Sequence, residues 1–196
     1  MITLRAVSHR FGDQVVLEGV ALDLEDGRVT ALTGPNGSGK TTLARILLSL
    51  LVPDAGVVDG LDGARCAAVF QEDRLCEQLS AVRNVRLVLP RSTPSQAVVA
   101  ELHRVGLDEE SLTKPVRELS GGQRRRVAIV RALLADADLV VLDEPFKGLD
   151  VDGKVQVMTW VRERCAGTTT LLITHDLPEA QWFGADVVTL ARPART

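Results

Sequence analysis

Residues 34–41 read GPNGSGKT, and this segment narrows the possible folds more than any other part of the chain. It has the spacing G-x-x-x-x-G-K-[ST], follows a short apolar run at Val29–Thr33, and precedes a helical pattern that begins at Lys40. Glycines let such a loop curl so that several backbone N–H groups point into one concavity, which suits phosphate oxygens. The alternative, a glycine-rich connection without a ligand, is disfavoured by the strand-to-helix setting.

This loop predicts a set of phosphate-binding residues. The helix that starts near Lys40 adds its positive end to the loop, and Lys40 supplies a cation for the β- and γ-phosphates of a nucleotide. The Thr41 hydroxyl is a predicted ligand of Mg²⁺. The predicted nucleotide contacts in this segment are Gly34, Pro35, Asn36, Gly37, Ser38, Gly39, Lys40, Thr41 and Thr42.

Two acidic residues complete the predicted chemistry. Leu139–Leu142 is a run of four apolar residues, typical of a strand that is buried on both faces, and Asp143 and Glu144 follow it directly. Carboxylates at the carboxyl end of such a strand face the crevice where open α/β sheets bind ligands. We therefore expect Asp143 to hold Mg²⁺, mostly through water, and Glu144 to act as a general base on a water molecule. Solvated acids at a strand end are the alternative, and the phosphate loop disfavours it.

Apolar patterning along the chain predicts an α/β fold. Strands alternate with helices over most of the sequence, which favours a parallel sheet with right-handed crossovers. We predict a P-loop NTPase core, an N-terminal antiparallel β subdomain, and an inserted α-helical subdomain at about residues 75–115. Strands are predicted at Ile2–Val7, Val15–Leu24, Val29–Thr33, Ala67–Phe70, Leu139–Leu142, Thr168–Thr174 and Val187–Leu190. Helices are predicted from Lys40 to a break at Pro53, at Val151–Cys165 and at Leu177–Phe183.

Composition excludes several other classes of protein. The chain of 196 residues is 45% hydrophobic and 25% charged, as in an ordinary packed domain, and it has no apolar run of the ~20 residues that a membrane span needs. Its net charge of −3 disfavours nucleic acid as a partner. Arg124, Arg125 and Arg126 would point in three directions on a helix, so we interpret them as a solvated face or as partners of acids. The three cysteines are interpreted as small apolar fillers.

A second motif supports a family resemblance. Leu119–Gln123 reads LSGGQ and lies 20 residues ahead of the strand that begins at Leu139. Together with the phosphate loop, this signature resembles the ATP-binding subunits and domains of ABC transporters, and the resemblance extends over nearly the whole chain. It implies a single ABC ATPase domain over residues 1–196, whose helical insertion leads to the signature at 119–123, with ATP and Mg²⁺ as cofactors.

The resemblance also implies roles for residues outside the phosphate loop. Phe11 resembles the aromatic residue that stacks on adenine, although a core or turn aromatic is an equal alternative on the sequence alone. Gln71 is similar to the glutamine that reaches the metal shell, and His175 to the histidine that bonds the γ-phosphate; a turn glutamine and a structural histidine are the alternatives. The implied catalytic residues are Glu144, His175, Gln71 and Lys40, and the implied metal ligands are Thr41, Gln71 and Asp143.

The signature implies a second copy of the chain. Ser120 is a good helix N-cap, and Gly121 and Gly122 bare N–H groups to an anion. In the family this surface, which here is Ser120, Gly121, Gly122 and Gln123, closes on the ATP of another subunit in a head-to-tail dimer. Asp150 resembles the residue that links the two sites. Lys147 departs from the pattern, because a small residue is frequent at that position.

The leading hypothesis is therefore an ATP-hydrolysing subunit that powers a separate transmembrane permease. The implied partners are the permease, a second copy of the chain, and a substrate-binding protein reached through the permease, at the cytoplasmic face of a bacterial inner membrane. The alternatives are a soluble ABC-type ATPase in DNA repair or translation and a P-loop kinase acting on a metabolite. The residues themselves do not specify the transported substrate or the direction of transport.

Overall fold

Two β-sheets and seven α-helices make up residues 1–193, the part of the chain that the computed structural model describes. The sequence also predicts a polar tail at 192–196, which lies mostly outside these residues. The strands are β1 (Ile2–Phe11), β2 (Gln14–Leu24), β3 (Val29–Thr33), β4 (Ala55–Asp59), β5 (Cys66–Val69), β6 (Leu139–Asp143), β7 (Thr169–Ile173) and β8 (Asp186–Thr189). The helices are α1 (Lys40–Leu47), α2 (Ala81–Arg86), α3 (Ser95–Arg104), α4 (Glu109–Thr113), α5 (Gly121–Leu134), α6 (Val151–Cys165) and α7 (Leu177–Trp182).

The larger sheet is parallel and has the strand order β5-β6-β7-β3-β8. Strands β6 and β7 are buried along their whole length, because helices and the second sheet cover both faces of their apolar residues. All five strands run in the same direction, so their carboxyl ends lie at one edge. The chain leaves that edge at four places that carry predicted site residues, after β3, β5, β6 and β7.

The smaller sheet is antiparallel with the order β2-β1-β4, which confirms the predicted N-terminal subdomain. Strand β4 is absent from the sequence-based prediction, which placed only a break at Pro53–Gly56. Four of its five residues are exposed, so it carries no apolar alternation, and it is held as an edge strand by pairing with β1, for example Leu4 with Val58. Helix α1 ends at Leu47, earlier than the predicted break.

The helical segment between β5 and β6 begins later than predicted. Residues 75–79 are not helical, and α2 starts at Ala81 with Ser80 as its N-cap. The buried Asn84 side chain explains this, because its Oδ1 accepts from the N–H of Cys76 at 2.8 Å and its Nδ2 donates to the carbonyls of Cys76 and Leu79. These bonds hold the preceding residues in an irregular turn.

Two apolar cores pack against the parallel sheet. One joins the helical segment to β5 and β6, for example Val98 and Leu102 with Val69 and Val140, and the other lies among α1 and both sheets. Of the three cysteines only Cys165 is buried, so the interpretation as apolar fillers is wrong for the exposed Cys66 and Cys76. Within residues 1–193, none of the helices has both the length and the apolar character that a bilayer span requires.

Candidate nucleotide-binding site

The loop after β3 has the conformation that its glycines predict. Gly34, Gly37 and Gly39 have φ angles of 138°, 78° and 96°, which residues with side chains rarely adopt. A Cβ atom on Gly39 would lie 2.6 Å from Leu17 Cδ2, so the approach of β2 also excludes a side chain there. The loop therefore curls tightly before it enters α1.

Two buried polar groups of this loop, the Lys40 ammonium group and the Ser38 hydroxyl, are suited to bind phosphate oxygens. Lys40 is buried, and its Nζ donates to the carbonyls of Gly34 at 2.8 Å and Pro35 at 3.0 Å, which places the cation within the loop. The buried Ser38 hydroxyl has no hydrogen-bond partner among the described residues. Because an unpartnered buried hydroxyl is costly, a phosphate oxygen is a fitting partner for it.

Thr41 and Asp143 bring two oxygen ligands together. Thr41 Oγ1 donates to Asp143 Oδ2 at 2.9 Å, while Asp143 Oδ1 has no partner among residues 1–193. Asp143 is only 1% exposed, and this burial raises the pKa of its carboxyl group; the hydrogen bond from Thr41 and the nearby Gln71 amide partly oppose that change. A hydroxyl and one carboxylate with a free oxygen are a donor set that fits Mg²⁺, which takes few protein ligands beside phosphates and water.

Glu144 is the most conformationally unusual residue of the site. Its φ of 47° is left-handed, which is rare for a residue other than glycine. Its Oε2 accepts from Lys147 Nζ at 3.0 Å, and His175 Nδ1 lies 3.5 Å from its Oε1. Burial raises the pKa of Glu144, but the hydrogen bond and charge of Lys147 and the nearby His175 outweigh it, so the net pKa is lowered. At neutral pH Glu144 is therefore an ionised acceptor.

Two further predicted residues lie on the surface around this edge. Gln71 follows the end of β5 and is exposed, with its amide close enough to influence Asp143. Phe11 ends β1 and is 49% exposed, with only an edge contact to the His9 ring at 4.8 Å between centroids. This exposure excludes the core alternative for Phe11 and leaves a ring face for a ligand.

The signature segment forms the start of α5. Ser120 Oγ accepts from the N–H of Gln123 at 3.2 Å, and Gln123 Oε1 accepts from the N–H of Ser120 at 2.9 Å, so the predicted N-cap is confirmed and is a full capping box. Gln123 Nε2 also donates to Ser111 Oγ at 2.7 Å, which ties the signature to α4. Gly121 and Gly122 occupy the first turn, where backbone N–H groups are unpaired within the helix.

Two of the three consecutive arginines, Arg125 and Arg126, have different environments, as their helical spacing predicts. Arg126 pairs with Asp150 at 2.8 Å, and Asp150 caps α6 by accepting from the N–H of Gly153. The acid-pairing interpretation is thus confirmed for Arg126. The solvated-face interpretation is wrong for Arg125, which is buried at the carboxyl ends of β5 and β6 and also pairs with an acid, Asp73, at 3.3 Å.

The ion pairs of Lys147 with Glu144 and of Arg125 with Asp73 were not predicted from the sequence. Lys147 stands three residues after Glu144, a spacing that suits an ion pair in a tight turn, and that spacing was an available signal. Arg125 lies in line with the buried Ile129 and Ala132 of α5, so helical periodicity could have identified it as inward-facing. No comparable signal in the sequence indicates the role of Asp73, because its partner Arg125 is 52 residues away in the chain.

Comparison with known proteins agrees with this geometry. A family model described as "ABC transporter" matches residues 17–147. The zinc import ATP-binding protein ZnuC of Photorhabdus laumondii is 36% identical over 182 residues, which are 90% of this chain and 69% of that protein. The aliphatic sulfonates import ATP-binding protein SsuB 1 of Nocardia farcinica is 38% identical, with 97% of this chain and 78% of the relative covered. The Fe(3+) ions import ATP-binding protein FbpC 1 of Rhodococcus jostii is also 38% identical, with 96% of this chain and 59% of the relative covered.

Solved structures show the same architecture. The dimeric structure of MJ0796, a bacterial ABC transporter cassette, superposes with a TM-score of 0.85 at 26% identity and covers 97% of this chain and 94% of that chain. The predicted fold class is therefore confirmed. Since a family model matches most of the chain and relatives above 30% identity are covered over more than two thirds of their length, the chain belongs to the ABC transporter family, as one of its ATP-binding subunits.

Proposed function

We propose that this chain hydrolyses ATP with the residues gathered at the carboxyl edge of the parallel sheet and uses the released free energy to power a transmembrane permease. The observation that carries the proposal is the position of Glu144. Its ionised carboxylate has Oε1 3.5 Å from His175 Nδ1, and the residue directly follows Asp143, which is hydrogen-bonded to Thr41. In the proposed reaction Glu144 accepts a proton from water as that water attacks the γ-phosphate, which gives ADP and phosphate.

The other residues bind and orient the nucleotide. The loop from Gly34 to Thr42 cradles the phosphates with backbone N–H groups, and Lys40 turns from the loop carbonyls toward the β- and γ-phosphates. Phe11 offers its exposed ring to the adenine base. Thr41, Asp143 and Gln71 would hold Mg²⁺, which when bound neutralises charge on the phosphate oxygens. His175 orients the attacking water and bonds the γ-phosphate.

A second copy of the chain is proposed to complete each site. The first turn of α5, at Gly121 and Gly122, carries unpaired N–H groups that can bind the γ-phosphate of ATP on the other subunit. Support comes from MJ0796, for which two structures are described as dimeric, one of them a post-hydrolysis state bound to ADP and phosphate. The second of these structures has a TM-score of 0.84 to this chain.

The permease is the proposed membrane partner. The three relatives above are import ATP-binding proteins, which supports import at the cytoplasmic face of a bacterial membrane. We place the docking groove between Gln71 and the helical segment, which carries the exposed apolar residues Leu87 and Val88. A substrate-binding protein would meet this chain only through the permease. The relatives' names contain three different substrates, so the substrate is not assigned, and none of them supports the repair or translation alternative.

The direct test is Glu144→Gln, measured beside wild type for steady-state phosphate release and for equilibrium binding of ATP. We expect turnover to fall by about 10²- to 10⁴-fold, the usual contribution of a general base, while the Kd for Mg-ATP changes little. Glu25→Gln is the matched control, because Glu25 is an exposed carboxylate in the turn before β3, at the amino edge of the parallel sheet, and the variant should retain full turnover. Undiminished hydrolysis by Glu144→Gln would refute the role of this residue, and phosphate transfer to a metabolite in place of water would support a kinase.

A further inference from the structure

The Arg125 guanidinium is a buried cation that binds the backbone at the end of β6. Its residue is 4% exposed, and three of its hydrogen bonds go to consecutive carbonyl oxygens. Nε donates to Pro145 at 2.8 Å, and Nη2 donates to Glu144 at 2.7 Å and to Asp143 at 3.0 Å. The backbone on both sides of the Glu144 side chain is therefore fixed by one side chain from α5.

The same guanidinium also binds the segment that follows β5. Nη1 donates to the carbonyl of Phe70 and lies 3.3 Å from Asp73 Oδ1, the only carboxylate paired with Arg125 among the described residues. Five donors in a rigid plane allow an arginine to bridge two chain segments in this way, whereas a lysine cannot span them. Segment 70–73 and segment 143–145 are thus joined through Arg125.

The backbone conformation of Glu144 explains why such a bridge is needed. A left-handed φ of 47° at a residue with a side chain is unfavourable and persists only where the surroundings fix it. Arg125 supplies such a restraint, since it binds the carbonyls of both Asp143 and Glu144. A buried arginine is itself expensive, because burial disfavours its charge. The buried Arg125 side chain is therefore well suited to hold the backbone of Glu144 in its left-handed conformation.

We propose that Arg125 is a positioning residue for Glu144, and that it transmits displacement of residues 70–73 to the backbone that carries this carboxylate. The proposal rests on the function proposed above for Glu144. It adds a physical link from the segment beside the permease groove to the group that accepts the proton. Arg125 acts in this proposal through its hydrogen bonds to the backbone of residues 143–145 rather than by binding nucleotide.

The test compares Arg125→Lys with Arg131→Lys. Arg131 is the matched control because it lies on the same helix and donates to the carbonyls of Arg74 at 3.0 Å and Asp73 at 3.1 Å, but it makes no bond to residues 143–145. Misplacing a reacting group slightly costs up to about 10²-fold in rate, so we expect Arg125→Lys to lower kcat by about 10- to 100-fold. KM for Mg-ATP should change less than about twofold, and Arg131→Lys should keep both values near wild type.

A second variant, Asp73→Asn, tests transmission and remains informative if Arg125→Lys unfolds. It removes the charge of the carboxylate that pairs with Arg125 and keeps the shape of that side chain, so kcat should fall, and the fall should be absent when Arg125 is already lysine. Equal losses in Arg125→Lys and Arg131→Lys, or a raised KM with unchanged kcat, would overturn the proposal. So would an Asp73→Asn protein with wild-type kcat. Retained turnover in Glu144→Gln, measured in the same assay, would instead indicate failure of the proposed function.

Discussion

Replacing Thr41 with valine removes a single hydroxyl and keeps the shape of the side chain. In the structure that hydroxyl donates to Asp143 Oδ2 at 2.9 Å, and the other oxygen of this buried carboxylate has no partner among the described residues. A hydrogen bond to a charged group contributes about 1.5–3 kcal/mol net, and its loss leaves Asp143 less well solvated. We therefore expect Thr41→Val to lower the free energy of unfolding of the ligand-free protein by about 2 kcal/mol.

The same substitution should weaken binding of the metal–nucleotide complex. A ligand present at 100 times its Kd adds about 2.7 kcal/mol to the free energy of unfolding. If loss of the Thr41 oxygen raises Kd about tenfold, the increment at the same concentration falls to about 1.4 kcal/mol. ATP without Mg²⁺ should stabilise both proteins to a similar extent, since the backbone N–H groups of the phosphate loop and Lys40 are unchanged.

Urea unfolding followed by tryptophan fluorescence measures the free energy of unfolding with and without Mg-ATP, because Trp160 is buried and becomes exposed on unfolding. Thr41→Ser is the control, since it keeps the hydroxyl and should lose far less stability than valine. The reasoning is refuted if Thr41→Val matches wild type in ligand-free stability and also gains the full increment from Mg-ATP.

Two other predictions concern the loop and the thiols. Gly39→Ala should lower the free energy of unfolding by about 2–5 kcal/mol, because Gly39 has a left-handed φ of 96° and a Cβ atom there would clash with β2. Gly37→Ala should lower it by only about 1–2 kcal/mol, because the space around Gly37 is open. Urea unfolding of both variants measures this difference, and equal losses would contradict the prediction. Burial raises the pKa of the Cys165 thiol to about 11, so a thiol reagent at pH 8 should label the exposed Cys66 and Cys76 in the native protein and Cys165 only after unfolding, as mass spectrometry of labelled peptides would show. Rapid native labelling of Cys165 would contradict its burial.

The elements that the sequence predicted well are those in which local pattern and tertiary environment agree. Helix α6 and strand β3 have the predicted bounds, Val151–Cys165 and Val29–Thr33, because an N-cap starts the helix and a continuous apolar run marks the strand. Strand β4 could not be predicted in this way, since its exposed residues are ordered only by pairing with β1. The late start of α2 depends on the Asn84 side chain, whose bonds to Cys76 no periodicity reveals.

The site shows the same division. Motif spacing predicted Lys40, Thr41 and Asp143, and the structure brings all three to one edge of the sheet because the strands that precede them are parallel. The bridge made by Arg125 joins segments that are more than 50 residues apart in the chain, so it depends on the packed fold. Contacts of this kind are set by tertiary structure rather than by local pattern.

The central claim is that ATP joins two copies of this chain and that Glu144 then hydrolyses it. Light scattering of wild type and Glu144→Gln, each with and without Mg-ATP, tests this claim most directly. We predict that Glu144→Gln becomes dimeric when Mg-ATP is added, while wild type returns to monomer as it consumes the nucleotide. A Glu144→Gln protein that binds Mg-ATP but keeps the mass of a monomer would contradict the claim.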